Sequence, residues 1–183
     1  MKGFVRDNHS LSLCGLNCEL CPMLLDQYCP GCGGGEGNQS CKIARCSLEH
    51  DRVQYCFDCA HYPCEKYDHA DDYDSFITHK HRKSDIKRAI DLGISAYTLE
   101  QKERSKALRY LLDHFNDGRK KTFFCLAVNL LEIEDVRMAM DRISRFKEEN
   151  PLLFLKEMSV YACTVFQNIA GERQIELKLR RKK

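Results

Sequence analysis

Ten of the 12 cysteines in this 183-residue chain fall between Cys14 and Cys64. They run Cys14, Cys18, Cys21, then Cys29 and Cys32, then Cys41 and Cys46, then Cys56, Cys59 and Cys64. Three pairs, Cys18/Cys21, Cys29/Cys32 and Cys56/Cys59, have the C-x-x-C spacing, with which a tight turn aims two sulfurs at one point. That is the half-site from which tetrahedral thiolate metal centres are built. All ten are therefore candidate metal ligands.

Disulfides are the rival use of so many cysteines, and they belong to oxidising compartments. The start, Met1 to Ser10, holds no apolar run of a secretory leader, and nowhere do apolar residues approach the ~20 of a membrane span. The reading is a cytoplasmic chain with reduced thiols, no membrane association and zinc as the metal. An iron–sulfur cluster with an electron-transfer or redox role is the alternative, since four cysteines serve iron as well.

The net charge of +2 makes no electrostatic case for nucleic acid. Lys42, Arg45 and Arg52, interleaved with the cysteines, either offset anionic thiolate clusters or are ordinary surface. The basic stretch from Lys178 to Lys183 reads as a frayed, solvated tail or a contact for nucleic acid or an acidic partner. The segment from His79 to Lys83 reads as an exposed loop.

The punctuation divides the chain near residue 65. Gly31, Gly33, Gly34, Gly35 and Gly37 are five of its 10 glycines, and Pro22, Pro30 and Pro63 three of its 4 prolines. Such a segment is turns and knuckles with one short helix around Leu20–Tyr28, and it is too poor in large apolar side chains to fold without a staple. Residues 1–65 are thus assigned to a zinc-knuckle-like module and 66–183 to an all-α lobe.

In that lobe Ser84-Asp85 opens a helix with Ile86, Ala89 and Ile90 on one face, ended by Gly93. Thr98 with Gln101 resembles a capping box ahead of Ala107, Leu108, Leu111, Leu112 and Phe115. Thr122 to Leu131 is apolar nearly all round, as a buried central helix is. Ile133, Val136, Met140, Ile143 and Phe146 mark the next helix. Asn150-Pro151 reads as a cap with proline at the first helical position, before Leu155, Met158, Ala162, Val165, Phe166 and Ile169. Cys125 and Cys163 sit in these stripes and are read as core, with Met138, Met140 and Met158 as core fillers. The fold class is mainly α: an antiparallel helical bundle with an N-terminal irregular cysteine-rich metal-binding module.

The motifs carry a resemblance. Cys14-Gly15-Leu16-Asn17-Cys18-Glu19-Leu20-Cys21-Pro22, Pro30-Gly31-Cys32, Cys41-Lys42-Ile43-Ala44-Arg45-Cys46 and Cys56-Phe57-Asp58-Cys59-Ala60-His61-Tyr62-Pro63-Cys64 are similar to a prokaryotic cysteine-rich family of unknown function. Its signature runs CGL-x-C-x-x-C-P, C-x-G-C, C-x-I-x-x-C, C-x-x-C-x-x-[FY]-P-C. The stretch Asn116 to Leu131 resembles the segment downstream of the cysteines in some members. Many of these relatives carry one more cysteine where this chain has Gly37-Asn38-Gln39-Ser40. The resemblance strengthens the metal reading and names no reaction.

Ten thiols do not divide into fours. Two four-thiolate sites leave two spare; three sites need two more ligands, for which His50 and His61 stand nearest. Bridging thiolates would join ions into one cluster. Protein-filled coordination makes each metal closed and structural. The spacing Cys14-x-x-x-Cys18-x-x-Cys21 matches a radical-enzyme iron–sulfur motif, yet nothing downstream alternates strand with helix as that barrel requires. No C-x-x-C lies in a βαβ pattern, and no glycine run precedes a phosphate-binding Lys-Ser/Thr. No catalytic centre is expected. The module is read as presenting a surface to a macromolecular partner, protein rather than nucleic acid. Tyr28, Tyr55, Phe57, Tyr62 and Tyr67 are read as aromatic shielding of the metal sites.

Overall fold

Backbone that turns every few residues must satisfy its amides locally, and short 3-10 turns do this at Cys18–Leu20, Cys56–Asp58 and Glu65–Tyr67. They appear in a computed structural model of the chain, which describes residues 3–35 and 41–182. The described residues also form seven α-helices: α1 (Pro22–Leu25), α2 (Lys42–Glu49), α3 (Arg82–Leu92), α4 (Ile94–Phe115), α5 (Lys121–Leu130), α6 (Ile133–Glu149) and α7 (Leu155–Glu172). Among the described residues the only β pairing is an isolated bridge between Leu11 and Asn17. The fold is all-α with an irregular cysteine-rich start. Gly37-Asn38-Gln39-Ser40, the stretch at which the sequence departs from the motif it resembles, lies outside the described residues.

Two compact units are present: residues 1–101 with 179–183, and residues 102–178. This division differs from the compositional one at residue 65, and the reason is packing. Phe4, Leu13, Ile43, Ala44 and Tyr67 share one apolar cluster with Ile86 of α3, against which Cys14, Cys32, Cys56 and Cys64 also pack. Leu11 and Tyr55 share another with Ala89 and Tyr97. The Tyr97 hydroxyl donates to Asn17 Oδ1 at 2.9 Å, and Asn17 Nδ2 donates to Asp85 Oδ2 at 3.0 Å. The cysteine-rich segment therefore holds α3 and the first turns of α4 as part of its own core.

Two glycines are required by this packing. Gly15 has φ +91°, and a Cβ there would collide with Ile86 Cγ1; at Gly33 (φ +87°) it would meet Arg6 Cβ at 2.7 Å. Arg6, only 3% exposed, donates from Nε to the Gln54 carbonyl (2.7 Å), from Nη1 to Cys32 O (3.2 Å) and from Nη2 to Leu11 O (3.0 Å). One guanidinium thus fastens three separate stretches of irregular backbone.

The second unit follows the periodicities. Leu108, Leu111 and Phe115 of α4, Phe124 to Leu130 of α5, Ile133, Val136, Ala139 and Ile143 of α6, and Met158, Ala162, Val165, Phe166 and Ile169 of α7 are buried. Cys125 and Cys163 are buried among them, as read; Met158 is buried, Met138 and Met140 half-buried. Arg104, 5% exposed, donates from Nη1 to the carbonyls of Val128 and Leu131 (both 2.6 Å), closing the C-terminal end of α5.

Several local expectations are corrected. α3 starts at Arg82 instead of Ser84, and Ile90 is 52% exposed. Thr98 is no cap: α4 begins at Ile94, directly after Gly93, and the Thr98 hydroxyl accepts from Asn8 Nδ2 at 2.8 Å. Pro151 precedes the last helix, which starts at Leu155 with Phe154 as its cap residue. The stretch from His79 to Lys83 is anchored, since Arg82 is buried and ion-paired with Asp71. The basic tail is not frayed throughout, since Arg180 Nη2 meets Asp74 Oδ1 at 2.8 Å and Asp74 N donates to Arg180 O at 2.8 Å.

Candidate metal centre

The C-x-x-C elements build knuckles from their own backbone. In two of them the second cysteine's amide donates to the first one's carbonyl, Cys21 to Cys18 at 3.0 Å and Cys59 to Cys56 at 3.1 Å. A 3-10 turn of this kind brings the two side chains to one side of the chain. Polar groups address the sulfurs directly: the Leu13 amide donates to Cys32 Sγ (3.4 Å), and Ser12 Oγ shares a hydrogen bond with Cys14 Sγ (3.2 Å). That same Ser12 hydroxyl accepts from the Leu16 amide at 2.7 Å, so the turn that carries Cys14 is held from within.

None of the 12 cysteines is in a disulfide. The thiols of the N-terminal segment fall into two neighbourhoods. Burial pushes the Cys18 thiol well up, and the nearby Cys32, Cys14 and Cys21 push it further. Cys21 is raised by burial, with Cys29 beside it. Cys32 is raised by burial against the pull of Arg6, and senses Cys14 and Cys41. In the second neighbourhood burial pushes Cys56 up to about 12, opposed by the Tyr67 hydroxyl and reinforced by Cys14, Cys64 and Cys46. Cys14 stands between the two.

The second neighbourhood opens on a pocket of ≈ 200 Å³ at the C-terminal end of α2. Cys46, His50, Cys56, Cys59, His61 and Cys64 line it, beside apolar Ile43 and Val53. The His50 and His61 rings meet edge to face at 5.4 Å. Of the ten thiols singled out in the sequence, nine are half-buried and Cys41 is exposed. Among the described residues no three histidine, cysteine, aspartate or glutamate side chains are drawn into one metal-binding group. The chemistry of the donors nevertheless fits a thiophilic cation. Crowded, desolvated thiols resist ionisation, and a bound cation supplies the charge that reverses this.

Lys42, Arg45 and Arg52 are exposed. Of the aromatics, Tyr55 and Tyr67 are buried, Phe57 and Tyr62 half-buried, and Tyr28 is 75% exposed. Sequence reasoning missed Arg6, Ser12 and Asn17. Ser12 and Asn17 carry the weak signal of turn-forming residues flanking a cysteine, whereas an isolated arginine near a terminus carries none. Compared with known proteins, the chain matches no family model, no curated protein and no solved structure.

Proposed function

We propose that this chain is a metal-binding protein whose clustered cysteines hold structural zinc at more than one site, and that it presents a surface to a protein partner. The observation that carries this reading is that the ten clustered thiols are in no disulfide, that two of the C-x-x-C pairs sit on 3-10 knuckles, and that Cys46, Cys56, Cys59 and Cys64 line one pocket. Zinc prefers such sulfur-rich tetrahedral sets, and filled thiolate coordination leaves it no water to activate, so the role is structural. A reducing, cytoplasmic location accords with thiols left unpaired by disulfides. Among the described residues no helix is long and apolar enough to cross a membrane. The resemblance of the Cys14 to Leu131 motifs to the prokaryotic cysteine-rich family agrees with the metal reading. Exposed Leu152 (94%), Phe154 (80%) and Val160 (55%), around the start of α7, support the interaction part.

Elemental analysis and an absorption spectrum on anaerobically purified protein test the proposal. Two or more zinc ions per chain are expected. Less than one metal per chain, with paired disulfides by mass spectrometry, would overturn it. Brown protein with acid-labile sulfide would transfer the thiols to iron–sulfur chemistry.

A further inference from the structure

The contact between Asp74 and Arg180 joins a prepared socket to a loosely held plug. The socket is built from its own stretch of chain. Asp74 Oδ1 accepts from the His79 amide at 2.7 Å, and the Ser75 amide donates to the Ile77 carbonyl at 3.2 Å. The neutral His79 ring donates from Nδ1 to the Ala70 carbonyl (2.9 Å) and accepts at Nε2 from the Ser75 hydroxyl (3.0 Å). Ile77, Thr78 and Arg82, which follow, are buried and anchor the turn. None of these contacts uses residues 179–182, so the turn that presents Asp74 holds its shape without them.

The plug is different. From Arg173 to Lys182 no residue is buried. What fixes this segment is Arg180. Its amide donates to Asp74 Oδ2 at 2.7 Å, its Nη2 to Oδ1 at 2.8 Å, and its carbonyl accepts from the Asp74 amide at 2.8 Å. Two residues on, the Lys182 ammonium lies 5.5 Å from the centre of the Tyr73 ring. Burial pushes the Asp74 carboxyl up, and the hydrogen bonds from Arg180 and His79 outweigh it, holding it below the usual carboxylate range. Asp71 and Asp72 add negative charge near Arg180 while pairing with Arg82 and His69.

When residues 179–182 leave, the Asp74 carboxylate keeps the His79 amide and opens to solvent. Beside it in the chain stand two aromatic rings, Tyr73 and Phe76, already 41% and 59% exposed. That surface has the chemistry to take another segment of the same kind. It offers a carboxylate to a guanidinium, a ring face to an ammonium, and the Asp74 amide to a main-chain carbonyl.

We propose that the loop from Ala70 to His79 is a recognition site for a basic segment of a partner protein, arginine followed two residues later by lysine, and that residues 179–182 occupy it as a displaceable internal ligand. Tethering keeps the site filled at rest. Residues 173–179, seven in all, link α7 to Arg180, and a link that short gives an effective concentration on the order of mM. A partner engages by exceeding that level or by fitting better. The inference goes beyond the zinc reading and stands or falls without it.

A fluorescein-labelled peptide with the sequence of residues 177–182, titrated into the full chain and followed by anisotropy, tests this. The variant Arg180→Ala/Lys182→Ala, whose internal ligand is disabled, is expected to bind the peptide at least about 10-fold more tightly than the parent chain. Adding Asp74→Asn to that variant is expected to weaken binding about 30-fold or more, as removal of one member of a buried, hydrogen-bonded charge pair does. A peptide carrying Arg180→Gln should lose affinity to the same degree. Equal affinity for the parent and the Arg180→Ala/Lys182→Ala variant overturns the proposal, as does absence of binding to that variant or binding indifferent to Asp74→Asn. Should the Asp74→Asn chain not fold, hydrogen exchange in the parent decides. The Arg180 amide must exchange at least about 10-fold faster than the Ala89 amide of α3, each relative to its intrinsic rate, because the segment opens while its unit stays folded. Equal protection of the two amides overturns the proposal.

Discussion

The two compact units solve the same problem, fixing a backbone, with different materials. Residues 102–178 do it by burying aliphatic and aromatic stripes of four helical segments against one another, with Phe124 and Phe166 6.3 Å apart at ring centres. The unit of residues 1–101 and 179–183 is longer yet, among the described residues, buries fewer apolar side chains. It compensates with directed polar contacts such as those of Arg6, Asn17 and Asp74 and, on the function proposed above, with a cation held by its thiols. A hydrophobic core tolerates imprecision, while a polar and metal-dependent one fails when a single partner is removed.

The sharpest way to break this comparison is to remove the metal. Structural zinc contributes roughly 10–16 kcal/mol to small cysteine modules. Stripping it with a strong chelator should erase hydrogen-exchange protection in α2 and α3 and leave α5 to α7 protected. Loss of protection in both sets together would show that the units do not differ in this way. A core truncation should do the reverse. Phe166→Ala, at a fully buried position, is expected to cost about 3–5 kcal/mol in denaturant unfolding of the helical unit while zinc stoichiometry holds. Zinc loss in that variant would contradict the division.

Arg6→Met keeps much of the apolar stem and deletes three hydrogen bonds to carbonyls of Gln54, Cys32 and Leu11. A cost of about 2–3 kcal/mol, confined to the first unit, is expected. The smallest effect concerns Asp135. Hydrogen bonds from Arg173 (Nη2 to Oδ1 at 2.8 Å, Nε to Oδ2 at 2.9 Å) hold its carboxyl below the usual carboxylate range, outweighing burial. A lowered folded-state value means the pair stabilises the helical unit above the ordinary carboxylate pKa of ~3.9 and that the benefit disappears as pH falls through the folded value. Asp135→Asn should therefore be less stable than the parent at neutral pH and converge with it in acid. A gap that persists unchanged at low pH would assign the loss to packing.

Legibility differed between the units for physical reasons. Where burial follows a period of 3.6, as in Ile133, Val136 and Ile143 or Met158, Ala162 and Phe166, the pattern writes itself into the residues. Thr98 misled because its hydroxyl accepts from distant Asn8, a tertiary bond that local cap rules do not contain. Pro151 misled because a turn intervenes before α7. The C-x-x-C spacing shows where the ten thiols fall along the chain, but not which of them the fold brings near one another. That depends on Leu13, Ile43, Tyr67 and Ile86 folding into one cluster, and Ile86 lies past the compositional boundary. The buried arginines Arg6, Arg82 and Arg104 were invisible, because a charged residue is read as surface until its acceptors are known.

The clasp between Asp74 and Arg180 has a consequence for how the protein is made. Asp74 has a side chain with no exposure at all, and the guanidinium that neutralises it lies 106 residues further along the chain. During synthesis the Asp74 carboxylate can therefore accept from the nearby His79 amide but must await its guanidinium until the whole helical unit has been translated. Only when Arg180 emerges does the earliest-made part of the protein receive its last partner. Vectorial folding here ends where it began, and a nascent chain halted before Arg180 would carry an unfinished first unit behind a finished second.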